Sequence, residues 1–149
     1  MNWKNRSLWS RSAKNTFWCL IGCSIGEFAT LAAYSLLELD IVFETEPALY
    51  CLLLVLPLIN GLITSIILET CILVRGQMSF PHALKTALGM SFISMLMMEV
   101  AMEITDLFFT GGALGINAWA MPLMLLVGFI TPWPFNYWRL EKTGKCCHG

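Results

Sequence analysis

Apolar residues dominate four stretches of the chain, at about 16–39, 47–74, 80–109 and 116–138. Each is long enough to cross a hydrocarbon core of roughly 30 Å as a helix. Local signals predict where they begin and end. Pro47 suits the first turn of the second helix, and Pro57, Asn60 and Gly61 are expected to kink its middle. Arg75-Gly76-Gln77 closes it. Ser79 is placed to cap the third helix, with Pro81 just inside. Gly111, Gly112 and Gly115 make a short uncharged turn into the fourth, which contains Pro122, Pro132 and Pro134. Trp133, Phe135, Tyr137 and Trp138 gather at its end like one arc of an interfacial aromatic belt.

Two of these apolar stretches carry a polar stripe. In the third, Met95, Met98, Glu99, Met102, Glu103 and Asp106 share one helical face, which Ser91 extends. In the first, Cys19, Cys23 and Glu27 stand at i, i+4 and i+8, beside a Gly22-x-x-x-Gly26 pair that lets a neighbouring helix approach closely. A carboxylate in hydrocarbon costs several kcal/mol even on lenient scales. It must be protonated, solvated or bound to a cation. No Lys or Arg sits deep in any span to neutralise Glu27, Glu69, Glu99, Glu103 or Asp106. Glu27 is expected level with Ser91 to Met95, with the other acids of the third helix nearer one membrane face. The third helix is expected to pack on the first.

Composition supports the membrane setting. Charged residues make up 13% of the chain, about half the share of a soluble domain. Mean hydropathy is +0.69. Four spans would put all nine Lys and Arg on one side, and the loop containing Glu38, Asp40, Glu44 and Glu46 on the other. Positive residues stay cytoplasmic, so both termini are expected there. The predicted fold is therefore an all-α integral membrane protein, a bundle of four transmembrane helices. Residues 1–15 form a basic interfacial N-terminus and 139–149 a cytoplasmic tail. The N-terminal apolar run is not expected to be a cleaved signal. Net charge is −1 and there is no basic patch interleaved with aromatics, which argues against nucleic acid as a partner. The expected surroundings are the lipid bilayer, with a homo-oligomer or a partner membrane protein.

The candidate chemistry is metal ligation. Cys19, Cys23, Glu27, Met95, Met98, Glu99, Met102, Glu103 and Asp106 form a ladder of thiol, thioether and carboxylate donors. Sulfur ligands favour Cu(I) and similar soft ions; carboxylates favour harder ones. Cys146, Cys147 and His148 could relay such an ion at the cytoplasmic face, or a tail cysteine could carry a lipid. Met98-x-x-x-Met102 resembles the motif of eukaryotic-type copper uptake transporters, which differ in having three spans. HExxH, GxSxG and phosphate-loop motifs are absent from the sequence, so no enzyme is expected. The leading expectation is a protein that binds, and conducts inward, a soft cation. Two alternatives stay open. One is a subunit or assembly factor whose polar stripes are packing seams. The other is a proton-coupled carrier.

Cys19-Leu-Ile-Gly-Cys-Ser-Ile-Gly-Glu27, the Met-Glu…Asp pattern of Met98 to Asp106, and Pro134-Phe-Asn-Tyr-Trp138 together resemble an uncharacterised family of small bacterial membrane proteins. It is known as domain of unknown function family 4396. The resemblance covers all four spans and implies a four-helix membrane protein of bacterial origin, hence an inner-membrane location. It implies no activity. Relatives often carry a histidine before the first cysteine; here Trp18 stands there.

Overall fold

The computed structural model describes residues 5–37, 47–111 and 116–143, apart from the side chains of Met90, Ser91 and Thr143. The elements are α1 (Arg6–Leu36), α2 (Pro47–Arg75), α3 (Phe80–Thr110), α4 (Met121–Ile130) and α5 (Trp133–Thr143). Among the described residues there is no strand. The acidic loop and the Cys146, Cys147 and His148 tail lie outside them.

α1 begins ten residues earlier than its apolar run. The Asn5 side chain accepts hydrogen bonds from the backbone N–H of Ser7 and Leu8, which caps the helix and draws the basic segment into it. Residues 6–15 are thus the first turns of α1 rather than a separate segment. α2 stays one helix through Pro57, at the cost of one backbone bond. Pro57 has no N–H to offer the Leu53 carbonyl four residues back. The Tyr34 hydroxyl donates to that carbonyl instead, at 2.9 Å. After Arg75, Gln77 adopts φ 69°, and Gln77 and Met78 donate to Val74 and Leu73. This is a Schellman closure, with Met78 packing on Leu73. Ser79 precedes α3 in extended conformation, but its hydroxyl makes no capping bond.

Hydrogen bonds tie α1 to α2 along their length. Ser65 Oγ donates to the Cys19 carbonyl at 3.2 Å, Thr64 Oγ1 to the Gly22 carbonyl at 2.7 Å, and Asn60 Nδ2 to Thr30 Oγ1 at 2.8 Å. Rising numbers on one helix meet falling numbers on the other, so the two are antiparallel. The Gly22 and Gly26 seam faces α2: a Cβ at Gly22 would lie 2.6 Å from Ser65 Cα, and one at Gly26 would run into the Asn60 carbonyl. α3 is antiparallel to α2 in turn, with Glu99 against Gly61 at one end and Ala83 and Ala87 near Leu73 at the other. α3 therefore runs alongside α1 in the same direction. It leans mainly on α2 and α4; the expected packing of α3 on α1 is present as a smaller contact.

The helix expected across 116–138 is divided. Pro132 and Pro134 cannot donate backbone bonds, and the chain turns at Thr131–Pro132. α4 has 10 residues, about 15 Å of helix, which is too short to span a membrane alone. Up to the turn the chain advances antiparallel to α1. The Ile116 N–H donates to Ser35 Oγ at 3.0 Å, and Gly128 lies by Leu20. Past it the advance stops. Trp133 Nε1 donates to Ser12 Oγ at 3.1 Å, Tyr137 stacks on Trp9 at 4.3 Å, and Asn136 Nδ2 donates to Thr16 Oγ1 at 2.8 Å. α5 thus lies against the Trp9–Thr16 turns of α1. Tyr137 is fully buried and Trp133 half-buried, so these two aromatics pack into the end of the bundle. Trp138 remains exposed, with Lys142 Nζ 5.0 Å from its ring centroid.

Polarity is inverted relative to a soluble bundle. Ile25, Leu52, Ile63, Ile67, Ile104 and Leu126 are exposed, while Thr16, Glu27, Ser65, Glu69 and Glu99 are buried. α1 and α2 are each long and apolar enough to cross a membrane. α3 makes a third if its two halves, bent by 54° between Gly89 and Phe92, count as one span. The protein is an all-helical, membrane-embedded chain in contact with lipid.

Candidate functional site

The i, i+4 stride on α1 carries Cys19, Cys23 and Glu27 into the interior; Cys23 and Glu27 are 0% exposed. The same stride on α3 buries Met95, Met98 and Met102 completely, and Glu99 to 1%. Asp106 is buried and Glu103 half-buried. Both cysteines and the three methionines belong to one continuous core with Leu20, Met124 and Tyr34. Both cysteines are thiols.

The two stripes meet at Cys23 and Glu99. The Cys23 thiol lies beside the Glu99 carboxylate and the Ser65 hydroxyl, with Cys19 one turn away. Glu27 lies within electrostatic reach of Glu99, Glu103 and Asp106. The register along the parallel pair is therefore Cys23 with Glu99 and Glu27 with the acids beyond it. This corrects the expected level of Glu27 with Ser91 to Met95 by more than one turn. The Ser91 side chain lies outside the described residues, as does the tail.

Neither carboxylate oxygen of Glu27 nor of Glu99 makes a hydrogen bond of good geometry. Cys23 is close to Glu99 without supplying one. Among the described residues no Lys, Arg or His enters the interactions of these acids. Lys85 stands 14 residues before Glu99 on α3, roughly 21 Å along the helix. A low-dielectric interior holding several carboxyl groups and no base must supply protons or a cation. The donors also sort by softness. Cys19, Cys23, Met95 and Met98 surround one end and the carboxyl groups the other. Among the described residues no three of His, Cys, Asp and Glu stand in metal-holding geometry. Any metal would have to use the thioethers or draw the acids closer.

α2 contributes two residues to the site: Gly61, expected only as part of a kink, and Ser65, which no sequence motif singled out. Gly61 leaves the space that the Glu99 carboxylate fills; a Cβ there would coincide with it. Ser65 places its hydroxyl at Cys23. Their signal was available: Pro57, Gly61, Ser65, Glu69 and Leu73 recur every four residues, and all are buried. Trp18, where relatives often carry histidine, is an exposed residue of α1 and points away from this cluster.

A family model described as Domain of unknown function (DUF4396) matches residues 8–145, nearly the whole chain. No curated protein and no solved structure matches it.

Proposed function

The chain belongs to the DUF4396 family, and from that premise we propose that it is a non-catalytic membrane protein holding a cation between α1 and α3. The observation that carries this is the pair Glu27 and Glu99: both are buried, neither makes a hydrogen bond of good geometry, and among the described residues no Lys, Arg or His enters their interactions. The proposed occupant is a soft cation such as Cu(I). Cys19, Cys23, Met95, Met98 and Met102 are its soft donors. Glu27, Glu99, Glu103 and Asp106 supply the opposing charge and draw the ion inward.

The proposed topology has four crossings, with both termini on the cytoplasmic side of a bacterial inner membrane. Residues 116–133 follow α1 from Ser35 back to Ser12, which is about 35 Å of helix and more than a hydrocarbon core. The fourth crossing is then α4 with its flanking turns, and α5 lies at the cytoplasmic interface. The alternation of basic and acidic segments sets the orientation. The core around Cys23 is closely packed, so conduction requires a second copy or an opened bundle.

A second reading has its own support. Without three metal-placed donors among the described residues, protons alone can neutralise the carboxyl groups, and the protein would be a proton-coupled carrier. Metal content of detergent-purified protein separates the two. The soft-cation reading expects bound metal in the parent and its loss in Cys23→Ser and Glu99→Gln. Equal metal in all three, or none in the parent, overturns it. Metal-free parent protein that moves protons down a pH gradient, with Glu99→Gln silent, establishes the second.

A further inference from the structure

We propose that Arg11, Lys14 and Arg75 form a site for the phosphate of an anionic phospholipid, at the end of the α1–α2 seam where α1 begins and α2 ends. This rests on the membrane-embedded fold and not on what occupies the space between α1 and α3.

The seam fixes the register of the three cations. Thr64 Oγ1 donates to the Gly22 carbonyl at 2.7 Å. Arg11 stands eleven residues before Gly22 on α1, and Arg75 eleven after Thr64 on α2. Eleven residues make three helical turns and about 20° more. The antiparallel pair therefore brings Arg11 and Arg75 to one level, about 16 Å along the bundle from that bond. Each leaves its helix on the face that carries Gly22 or Thr64 to the seam. The helices are still packed at this depth, since Ser12 and Asn15 of α1 and Thr70 and Leu73 of α2 are buried. Arg11 owes its place to the Asn5 cap, which starts α1 early and makes the basic segment helical. Lys14, three residues on, is a neighbour of Arg11 on the helix surface.

No described carboxylate shares this face. Arg11, Lys14 and Arg75 are exposed. Glu69 is turned into the bundle at 3% exposure. Glu141 belongs to α5, which covers Trp9, Ser12 and Thr16 on another side of α1. Arg75 is not needed to close α2 either. The N–H groups of Gly76, Gln77 and Met78 already take the Ile72, Val74 and Leu73 carbonyls. Two guanidinium groups and an ammonium gathered at one level repel one another until an anion joins them. Phosphate suits them, because the planar fork of arginine meets its oxygens in pairs.

The surroundings select a lipid as the source of that phosphate. Arg11, Trp18 and Ile25 recur every seven residues on α1, so they lie along one face. Trp18 is 36% exposed and Ile25 56%. Indole rings settle where headgroups meet acyl chains. Over about 21 Å of helix the face passes from cation to indole to hydrocarbon. An anionic phospholipid presents the matching order, from phosphate to chain. A free phosphate would use only the first part of it. In the proposed topology this end lies at the cytoplasmic leaflet, where clustered Lys and Arg attract anionic lipids.

Native mass spectrometry of the delipidated full chain in detergent tests this. Dioleoyl phosphatidylglycerol and dioleoyl phosphatidylcholine are titrated separately. The parent is expected to bind the first phosphatidylglycerol on the order of tenfold more tightly than phosphatidylcholine. Arg11→Gln/Arg75→Gln is expected to lose that preference and to keep its binding of phosphatidylcholine, which shows that it is folded. Should the double variant not fold, Arg11→Gln alone is read in the same way, with a loss of about threefold. Lys85→Gln is the control. Lys85 is exposed and sits between Ala83 and Ala87, which are buried near Leu73. It therefore shares the depth of Arg75 but leaves α3 on the opposite face. Its replacement is expected to change phosphatidylglycerol binding by less than about twofold. A parent without the preference, or a double variant that retains it, overturns the proposal. So does an equal loss in Lys85→Gln, which would mean that any cation at this end serves.

Discussion

Gly61 of α2 supplies the space in which the carboxylate of Glu99 lies. Any side chain at that position takes the place of the carboxylate. Gly61→Ala is expected to force Glu99 or α2 aside at about 1–3 kcal/mol, the usual cost of overpacking. The double variant Gly61→Ala/Glu99→Ala should regain most of that loss, since the clashing group is gone. Thermal unfolding in detergent measures both. Additive losses in the double variant would mean that the two residues do not share the space.

Gly26 and Gly89 make an opposed pair. A Cβ at Gly26 runs into the Asn60 backbone, whereas a Cβ at Gly89 meets nothing within 4 Å. Gly26→Ala should separate α1 from α2, break the bonds from Asn60 and Thr64, and cost about 3 kcal/mol or more. Gly89→Ala should be neutral, or stabilise by up to about 1 kcal/mol through helix propensity alone. Equal effects at the two sites in the same unfolding assay would contradict the close approach.

Tyr34 and Pro57 are coupled through the Leu53 carbonyl. Tyr34→Phe strands that carbonyl and should cost about 1–2 kcal/mol. In a Pro57→Ala background the residue-57 amide can take over the carbonyl, so the same change should cost less. A double-mutant cycle reads the difference directly. No coupling would show that the hydroxyl is incidental to the proline.

Glu27→Gln keeps the shape of the side chain and removes its charge. In protein stripped of metal, with no basic partner among the described residues, the change should leave stability within about 1 kcal/mol of the parent or raise it. Removing one partner of a buried ion pair would instead cost about 3–5 kcal/mol. On urea unfolding in mixed micelles, a loss of that size is expected only in metal-loaded protein; the same loss in stripped protein would mean that Glu27 has a basic partner.

The sequence carried the helices because apolar run length and proline position decide them. The starts of α2 and α3 fall at the residues expected, Pro47 and Phe80, and their ends one residue beyond. It also carried which side chains turn inward on α1 and α3, since an i, i+4 stride fixes a face whatever that face meets. It could not carry the partner of each face. The Gly22 and Gly26 pair was legible as a close contact, but only the folded chain shows that α2 fills it. Register between α1 and α3 was misjudged because depth was counted from the ends of the apolar runs, and α1 begins well before its run. The prolines at the Thr131–Pro132 break were visible, but they were placed inside one continuous fourth helix. What settles it is the hold of Ser12 and Thr16 on Trp133 and Asn136, contacts across more than a hundred residues that leave no local mark.

That long-range hold has a consequence for biogenesis. Ser12 and Trp133 are 121 residues apart in sequence. At the usual pace of synthesis, the Ser12–Thr16 face of α1 waits on the order of ten seconds for its partner. During that wait α1 and α2 can already pair through their own bonds, but the end of α1 stays open. Closure then comes last, made by the C-terminal helix on the N-terminal one. A chain stopped before Trp133 would present that open end to the insertion and quality-control machinery.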